Sequence, residues 1–219
     1  NFGRDIFSRV MVGARTTFFI SACTVTIGAV VGTLVGALTG YFGGLVDELL
    51  MRVNDAVTAF PSILLALVFI SLLGFGTYNV ILALGIAFIP SYARVIRGEF
   101  ARQREMNYVK NARLMGASHL RIIFRHILPN VVSLLIVSMT LDFATCMLTE
   151  STLSYLGFGI PLPTPTWGNL LNGANNSIVI QQYWWQWVFP AVIFGICTIC
   201  INLIGDGLRD ALDPKALER

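Results

Sequence analysis

The chain has 219 residues, 55% of them hydrophobic and 12% charged, with a mean hydropathy of +0.72 and a formal net charge of +3. Soluble domains carry about 25% charged residues, so this composition excludes a water-soluble globular protein and predicts an all-α, polytopic membrane helical bundle. The length leaves no room for a separate soluble catalytic domain, and a charge this small gives no case for nucleic acid.

Residues 1–15 mix apolar side chains with Arg4, Asp5, Arg9 and Arg15 and read as an interfacial lead-in. Thr16–Gly40 is the first expected span, long enough for a bilayer that needs about 20 residues. Within it Gly28, Gly32, Gly36 and Gly40 recur every fourth residue. That spacing puts them on nearly one face, where another helix backbone can approach closely. The expected use is packing within this chain, the alternative a contact between subunits. Tyr41–Asn54 reads as a short polar link with Asp47, Glu48 and Arg52. A second span runs from Val53 or Asp55 to Leu73, with Pro61 expected to kink or restart it. Gly74–Asn79 is a turn, and Val80–Ile96 is a third span that Pro90 is expected to break.

Met106–Asn130 carries Lys110, Arg113, Arg121 and Arg125 and no acid. Its apolar residues recur at helical spacing, interrupted by Gly116, which inside a helix would cost about 1 kcal/mol relative to Ala. Two short helical pieces joined at Gly116 are expected, with Pro129 in the first turn of the next helix. His119 and His126 both lie here without a carboxylate or thiol beside them, so a surface or interface role is expected rather than a metal site. Cys197 and Cys200 form a single C-x-x-C inside an apolar run and read as small residues of a helix.

Val131–Leu148 is the fourth span and holds Asp142. An ionised acid in lipid costs at least a few kcal/mol, so Asp142 should face protein or water. A pathway-lining residue and a helix-to-helix hydrogen bond are both open. Glu150–Trp185 reads as a long structureless loop, of the kind that is usually functional. Tyr183, Trp184, Trp185 and Trp187 then cluster as aromatics do at a membrane interface. Val188–Ile204 is the fifth and last span. With the basic stretch inside, twelve Lys and Arg side chains fall inside and three (Arg4, Arg9 and Arg15) outside. This agrees with the positive-inside rule and puts the C-terminus in the cytoplasm.

The basic stretch resembles the EAA loop of bacterial ABC importer permeases, with Lys110, Asn111, Ala112, Gly116, His126, Leu128 and Pro129 on the pattern's positions. Lys110 stands where the pattern has Glu, Asn111 where it has Ala, and His126 where it has Ile. His126–Asn130, HILPN, is similar to the peptide and nickel branch in full. Gly3-Arg4-Asp5, Ser8-Arg9, Tyr92-Ala93-Arg94, Arg97-Gly98-Glu99, Ser154–Gly159, Pro163–Gly168 and Gly205–Asp210 with Asp213-Pro214 resemble further segments of that branch. Tyr155 takes a position usually held by Phe, and Ile89 one often held by Trp.

The resemblance implies one transmembrane permease domain over 1–219, with five visible transmembrane helices and a family first helix missing upstream. It implies a cytoplasmic coupling loop at about 98–129, in which Lys110, Asn111, Ala112, Arg113, Gly116, Ala117 and Leu120 dock on an ATPase. It also implies an external loop at about 150–186 with Trp167 and Gly168. The implied partners are a second permease, two ATPase subunits that hold ATP and Mg, an extracellular or periplasmic solute-binding protein, and the lipid of a bacterial plasma (inner) membrane. The chain itself has no Gly-x-x-x-x-Gly-Lys-Ser/Thr loop, so no cofactor is expected on it and ATP hydrolysis falls to the partners. Peptides, nickel or a metal chelate are the implied cargo. A self-contained secondary transporter or channel is the competing reading. It would need a relay of ionisable groups within the spans, of which only Asp142 is expected to lie deep. A membrane scaffold that only binds other proteins is a third.

Overall fold

The computed structural model describes residues 5–212, and over them the chain is a helical bundle. Helix α1, Ile6–Phe42, starts ten residues before the expected first span. Asp5 caps it, its carboxylate accepting from the N–H groups of Phe7 and Ser8 at 3.0 and 3.2 Å. From Ile6 on the lead-in is therefore helical, because a capping acid and an apolar turn around the buried Val10 suffice to extend the span outward.

The glycine stripe of α1 packs within the chain, against α4, Thr77–Arg104. A Cβ on Gly32 would stand 2.4 Å from the Tyr92 Cβ, one on Gly36 2.6 Å from the Ala93 carbonyl, and one on Gly40 2.5 Å from the Arg97 carbonyl. The two helices thus meet backbone to backbone. That contact also explains why α4 continues through Pro90, where a break was expected. Pro90 removes one ladder hydrogen bond, but the buried Phe88, Tyr92 and Ala93 hold the flanking turns on α1.

The stretch expected as a polar link is helix α2, Gly44–Thr58, and α3, Ser62–Leu73, follows at 88° to it. Pro61 precedes α3 and restarts the chain as anticipated. Ion pairs hold α2 to α4: Arg97 to Asp47 at 2.5 Å and Arg94 to Asp55 at 3.1 Å. Among the described residues, four helices are long and apolar enough to cross a membrane, and the bent α2–α3 pair makes a fifth span if it is counted as one.

α4 reaches Arg104, so residues 98–104 of the anticipated coupling loop are helical. The loop proper holds α5, Asn107–Leu114, and then α6, His119–Arg121. A π-helical turn, Ile122–Ile127, joins α6 to α7, Leu128–Tyr155, and His119–Tyr155 runs on as one 37-residue helix. The stretch after Leu148 is not structureless. α7 carries Glu150 in its last turns, and α8, Trp167–Gly173, and α9, Ser177–Gln182, follow. α10, Trp185–Leu212, begins three residues before the expected last span. The motif residues Gly3, Arg4, Asp213 and Pro214 lie outside the described residues.

Candidate functional site

α5 ends in a turn that only glycine fits well. Gly116 has φ +80°, its N–H donates to the Arg113 carbonyl at 3.0 Å, and the next N–H, of Ala117, reaches the Ala112 carbonyl at 3.1 Å. This pair of bonds satisfies two carbonyls that the helix end would otherwise leave open. Ser118 then caps α6, its Oγ accepting from the Arg121 N–H at 3.4 Å. The two pieces joined at Gly116 are thus present, and the sign of φ gives the reason for the glycine.

The two faces of this segment differ. Val109, Ile122, Ile123 and Ile127 are buried in a cluster with Ala37, Tyr41, Ile96, Phe100 and Val131, against which Ala112 and Ala117 also pack. On the other side Leu114 is 87% exposed, Met115 88% and Leu120 67%. Lys110, Asn111, Arg113 and Gly116 are exposed too. Lys110 Nζ lies 3.6 Å from Glu105, whose carboxyl is held below the usual carboxylate range by a hydrogen bond from Arg104 and by Lys110. The cation at the pattern's Glu position therefore has an acid beside it within the chain. Arg113 sits over the Tyr41 ring at 5.8 Å.

A hydrogen-bond chain that sequence reasoning missed ties the segment to α4. The Asn130 amide donates to the Tyr108 hydroxyl at 3.2 Å, and Tyr108 donates to Gln103 at 2.5 Å. Gln103 in turn donates to Glu99 at 2.8 Å. Asn130 also donates to the His126 carbonyl at 2.8 Å, beside the π-helical turn. The only signal in the sequence is the last letter of HILPN.

At the other end of the bundle, Trp167 and Gly168 are buried. The Trp167 indole donates to the Val10 carbonyl at 3.1 Å, and its ring meets Phe18 and Phe194 at 5.8 and 5.3 Å. A Cβ on Gly168 would lie 2.2 Å from the Ser151 carbonyl, so α8 rests directly on α7. Thr166 and Asn169 form a reciprocal cap, with N–H to side-chain bonds of 2.9 and 3.2 Å. Beneath them Glu150 is fully buried and accepts from Ser154 Oγ at 2.7 Å, with Ser151 Oγ at 3.4 Å and the hydroxyls of Thr17 and Thr166 turned to the same carboxyl. Sequence reasoning placed Glu150 at the mouth of a loop and counted Asp142 as the only deep acid; the structure adds Glu150. A cavity of about 620 Å³ lies beside α8, lined by Arg9, Ser154, Leu162, Asn172, Gln186 and Pro190 among others.

Asp142 is half-buried on α7, eight residues before Glu150, with Cys146 between them. Its carboxyl faces the Tyr92 hydroxyl of α4, although that buried hydroxyl closes no hydrogen bond of ordinary geometry. Of the residues expected to couple, Lys110, Asn111, Arg113, Gly116 and Leu120 are exposed, while Ala112 and Ala117 pack against the buried cluster. Asp142 lies apart from them, and so do Trp167 and Gly168.

Comparison with known proteins gives three findings. Residues 32–218 match the family described as "Binding-protein-dependent transport system inner membrane component". The chain is 46% identical over 213 residues to the glutathione transport system permease protein GsiD of Escherichia coli, covering 97% of this chain and 70% of that one. It is 40% identical over the same length to GsiD of Pectobacterium atrosepticum, with the same coverage. Among solved structures, a subunit of the inward-facing MetNI methionine ABC transporter superposes with a TM-score of 0.73 at 17% identity, covering 94% of this chain and 97% of that one. A chain of an amino acid ABC transporter crystallised with histidines gives 0.66 at 15%, covering 94% and 97%. These two likenesses concern the fold.

Proposed function

The chain belongs to the family of binding-protein-dependent transport system inner membrane components, and from that premise we propose that it is the permease subunit through which ATP-driven import is coupled. It is a multi-span inner-membrane protein of the ABC importer type. In the proposed assembly it pairs with a second permease, two ATPase subunits carrying ATP and Mg dock beneath it, and a binding protein delivers solute from outside. The chain itself does no chemistry. The observation that carries this reading is the exposed Leu114–Met115 tip on a segment whose opposite face is locked into the bundle. A tip of this kind fits a groove on a partner, because side chains this apolar gain by leaving water and the anchored back prevents the segment from yielding. Closure of the ATPases would shift the docked segment and with it the packing of the spans.

The cargo proposed is a short peptide, with glutathione first, because the 46%-identical relative carries glutathione in its name. Nickel or a metal chelate is the alternative within the same branch. The proposed orientation puts the C-terminus and the coupling segment in the cytoplasm and α8 outside, in line with the positive-inside distribution. Asp142, proposed as a helix contact or pathway residue, acts through its facing Tyr92.

The test is reconstitution of the full transporter in proteoliposomes, with uptake of glutathione, a dipeptide and nickel measured with and without ATP. Peptide uptake that needs ATP and the binding protein is the expected result. Solute flux through this chain without ATP would contradict the reading.

A further inference from the structure

The inner end of α1 touches the coupling segment on both sides of its glycine turn. The Tyr41 hydroxyl lies 2.8 Å from His119 Nδ1, the first residue of α6, and the Arg113 guanidinium of α5 covers the Tyr41 ring at 5.8 Å. Phe42 packs edge-on against Tyr41 at 5.1 Å and sits 5.8 Å from the His119 ring. Tyr41 is only 3% exposed, and its carbonyl accepts from Arg104 Nη1 at 3.2 Å. One turn of α1 therefore holds α5, α6 and the end of α4 together.

The other contacts between the segment and the bundle differ in kind. Val109, Ile122, Ile123 and Ile127 make apolar contacts, which resist separation but have little directional preference. The Asn130–Tyr108–Gln103 chain ties the segment to α4, not to α1. The hydroxyl-to-imidazole bond spans 78 residues of sequence and fixes a direction. Behind Tyr41, α1 is welded to α4 along Gly40, Gly36 and Gly32, whose Cβ positions all collide with α4. A displacement of the segment that Tyr41 follows is passed to both helices as one body.

We propose that Tyr41 and His119 form the clamp that transmits movement of the coupling segment to the α1–α4 pair. The two are positioning residues: they touch neither cargo nor nucleotide. This deepens the permease reading above and rests on it.

The experiment uses the complete transporter in proteoliposomes and reads glutathione taken up per ATP hydrolysed, together with the copurification of the ATPases. Tyr41→Phe keeps the ring, and with it the Arg113 and Phe42 contacts, and removes only the hydroxyl. It should leave assembly and basal ATP hydrolysis unchanged while uptake per ATP falls about fivefold, the scale of one lost hydrogen bond. His119→Leu should do the same. His119→Asn, whose amide can occupy the place of Nδ1, should recover most of the loss. Tyr41→Phe with His119→Leu should be no worse than either alone, since both break one contact. Unchanged uptake per ATP in Tyr41→Phe, multiplied losses in the double variant, or loss of assembly would each overturn the clamp. The two claims separate in this assay. If Met115→Ser leaves ATPase binding untouched, the docking reading fails. If docking depends on Met115 and Tyr41→Phe still transports normally, only the clamp fails.

Discussion

In the proposed orientation, the inner and outer ends of α7 are approached by the same local device and put to opposite uses. α5 closes at Gly116 and α7 at Gly157, each with positive φ and the same pair of bonds. Gly157 N–H reaches the Ser154 carbonyl at 3.2 Å and Phe158 N–H the Leu153 carbonyl at 2.9 Å. Each turn leads to a short helix with a side-chain cap, Ser118 inside and Thr166 outside. Inside, the segment leaves Leu114 and Met115 in water; outside, it folds back and buries Trp167 completely. The turn chemistry is shared, so it does not decide the role. What decides it is whether the bundle supplies a seat for an apolar residue of the segment that follows the turn; Leu156 and Phe158 beside Gly157 stay exposed as Leu114 and Met115 do, and Trp167, ten residues on, is taken up. The outer end has one, in Val10, Phe18, Phe194 and the bare Gly168 contact. Among the described residues, Leu114, Met115 and Leu120 at the inner end have no such seat.

The comparison breaks most readily at the outer end. Trp167→Ala removes a fully buried indole and its bond to Val10, and should destabilise the described fold by about 3–5 kcal/mol. Thermal unfolding of the purified transporter in detergent reads this as a clear drop in midpoint. Gly168→Ala places a methyl against the Ser151 backbone, a site with no slack, and should cost about 1–3 kcal/mol in the same assay. A mild response to both would mean that α8 is loosely held and that the two ends are alike.

The inner end should respond in function more than in stability. At Gly116 a Cβ meets nothing within 4 Å, so only the positive φ penalises a side chain. Gly116→Ala should therefore cost about 1–2 kcal/mol of local strain, a smaller drop in midpoint than Trp167→Ala, with ATP-coupled uptake reduced. Gly116→Asp adds charge at the docking surface and should abolish uptake while the permease pair still purifies together. Normal uptake in Gly116→Asp would remove the segment from the coupling route.

The sharpest contrast needs the smallest structural change. Leu114→Ser with Met115→Ser should alter the melting midpoint within error, since exposed substitutions usually stay within about 0.5 kcal/mol. The same pair should weaken ATPase binding by at least about tenfold, the scale of one or two desolvated apolar anchors.

Much of this arrangement is legible in the sequence, and the omissions share a physical cause. The glycine stripe and the Gly116 turn are local signals, readable from a repeat of four and from one glycine inside an amphipathic run. α2 went unread because it is only amphipathic, and the Arg94 and Arg97 partners of its acids lie on α4. Pro90 followed the local rule in isolation, and the packing of α4 on the glycines overrode it. A lone charge at the end of an apolar run reads as a boundary, so the sequence alone puts Glu150 in a loop. Its hydroxyl partners come from Thr17, Ser151, Ser154 and Thr166, on three elements that no local window sums. The contacts of Tyr41 with His119, and of Asn130 with Tyr108 and Gln103, join segments in the same non-local way.

The central claim is that the Leu114–Met115 tip is covered by the ATPases. With Cys23, Cys146, Cys197 and Cys200 replaced, single cysteines at Met115 and at Asn175 can be followed with a membrane-impermeant thiol reagent on the detergent-solubilised permease pair. Both positions should react in the pair alone. Addition of the ATPase subunits should protect the cysteine at 115 and leave the one at 175 reactive. Full reactivity at 115 in the assembled transporter would show the tip uncovered and contradict the account.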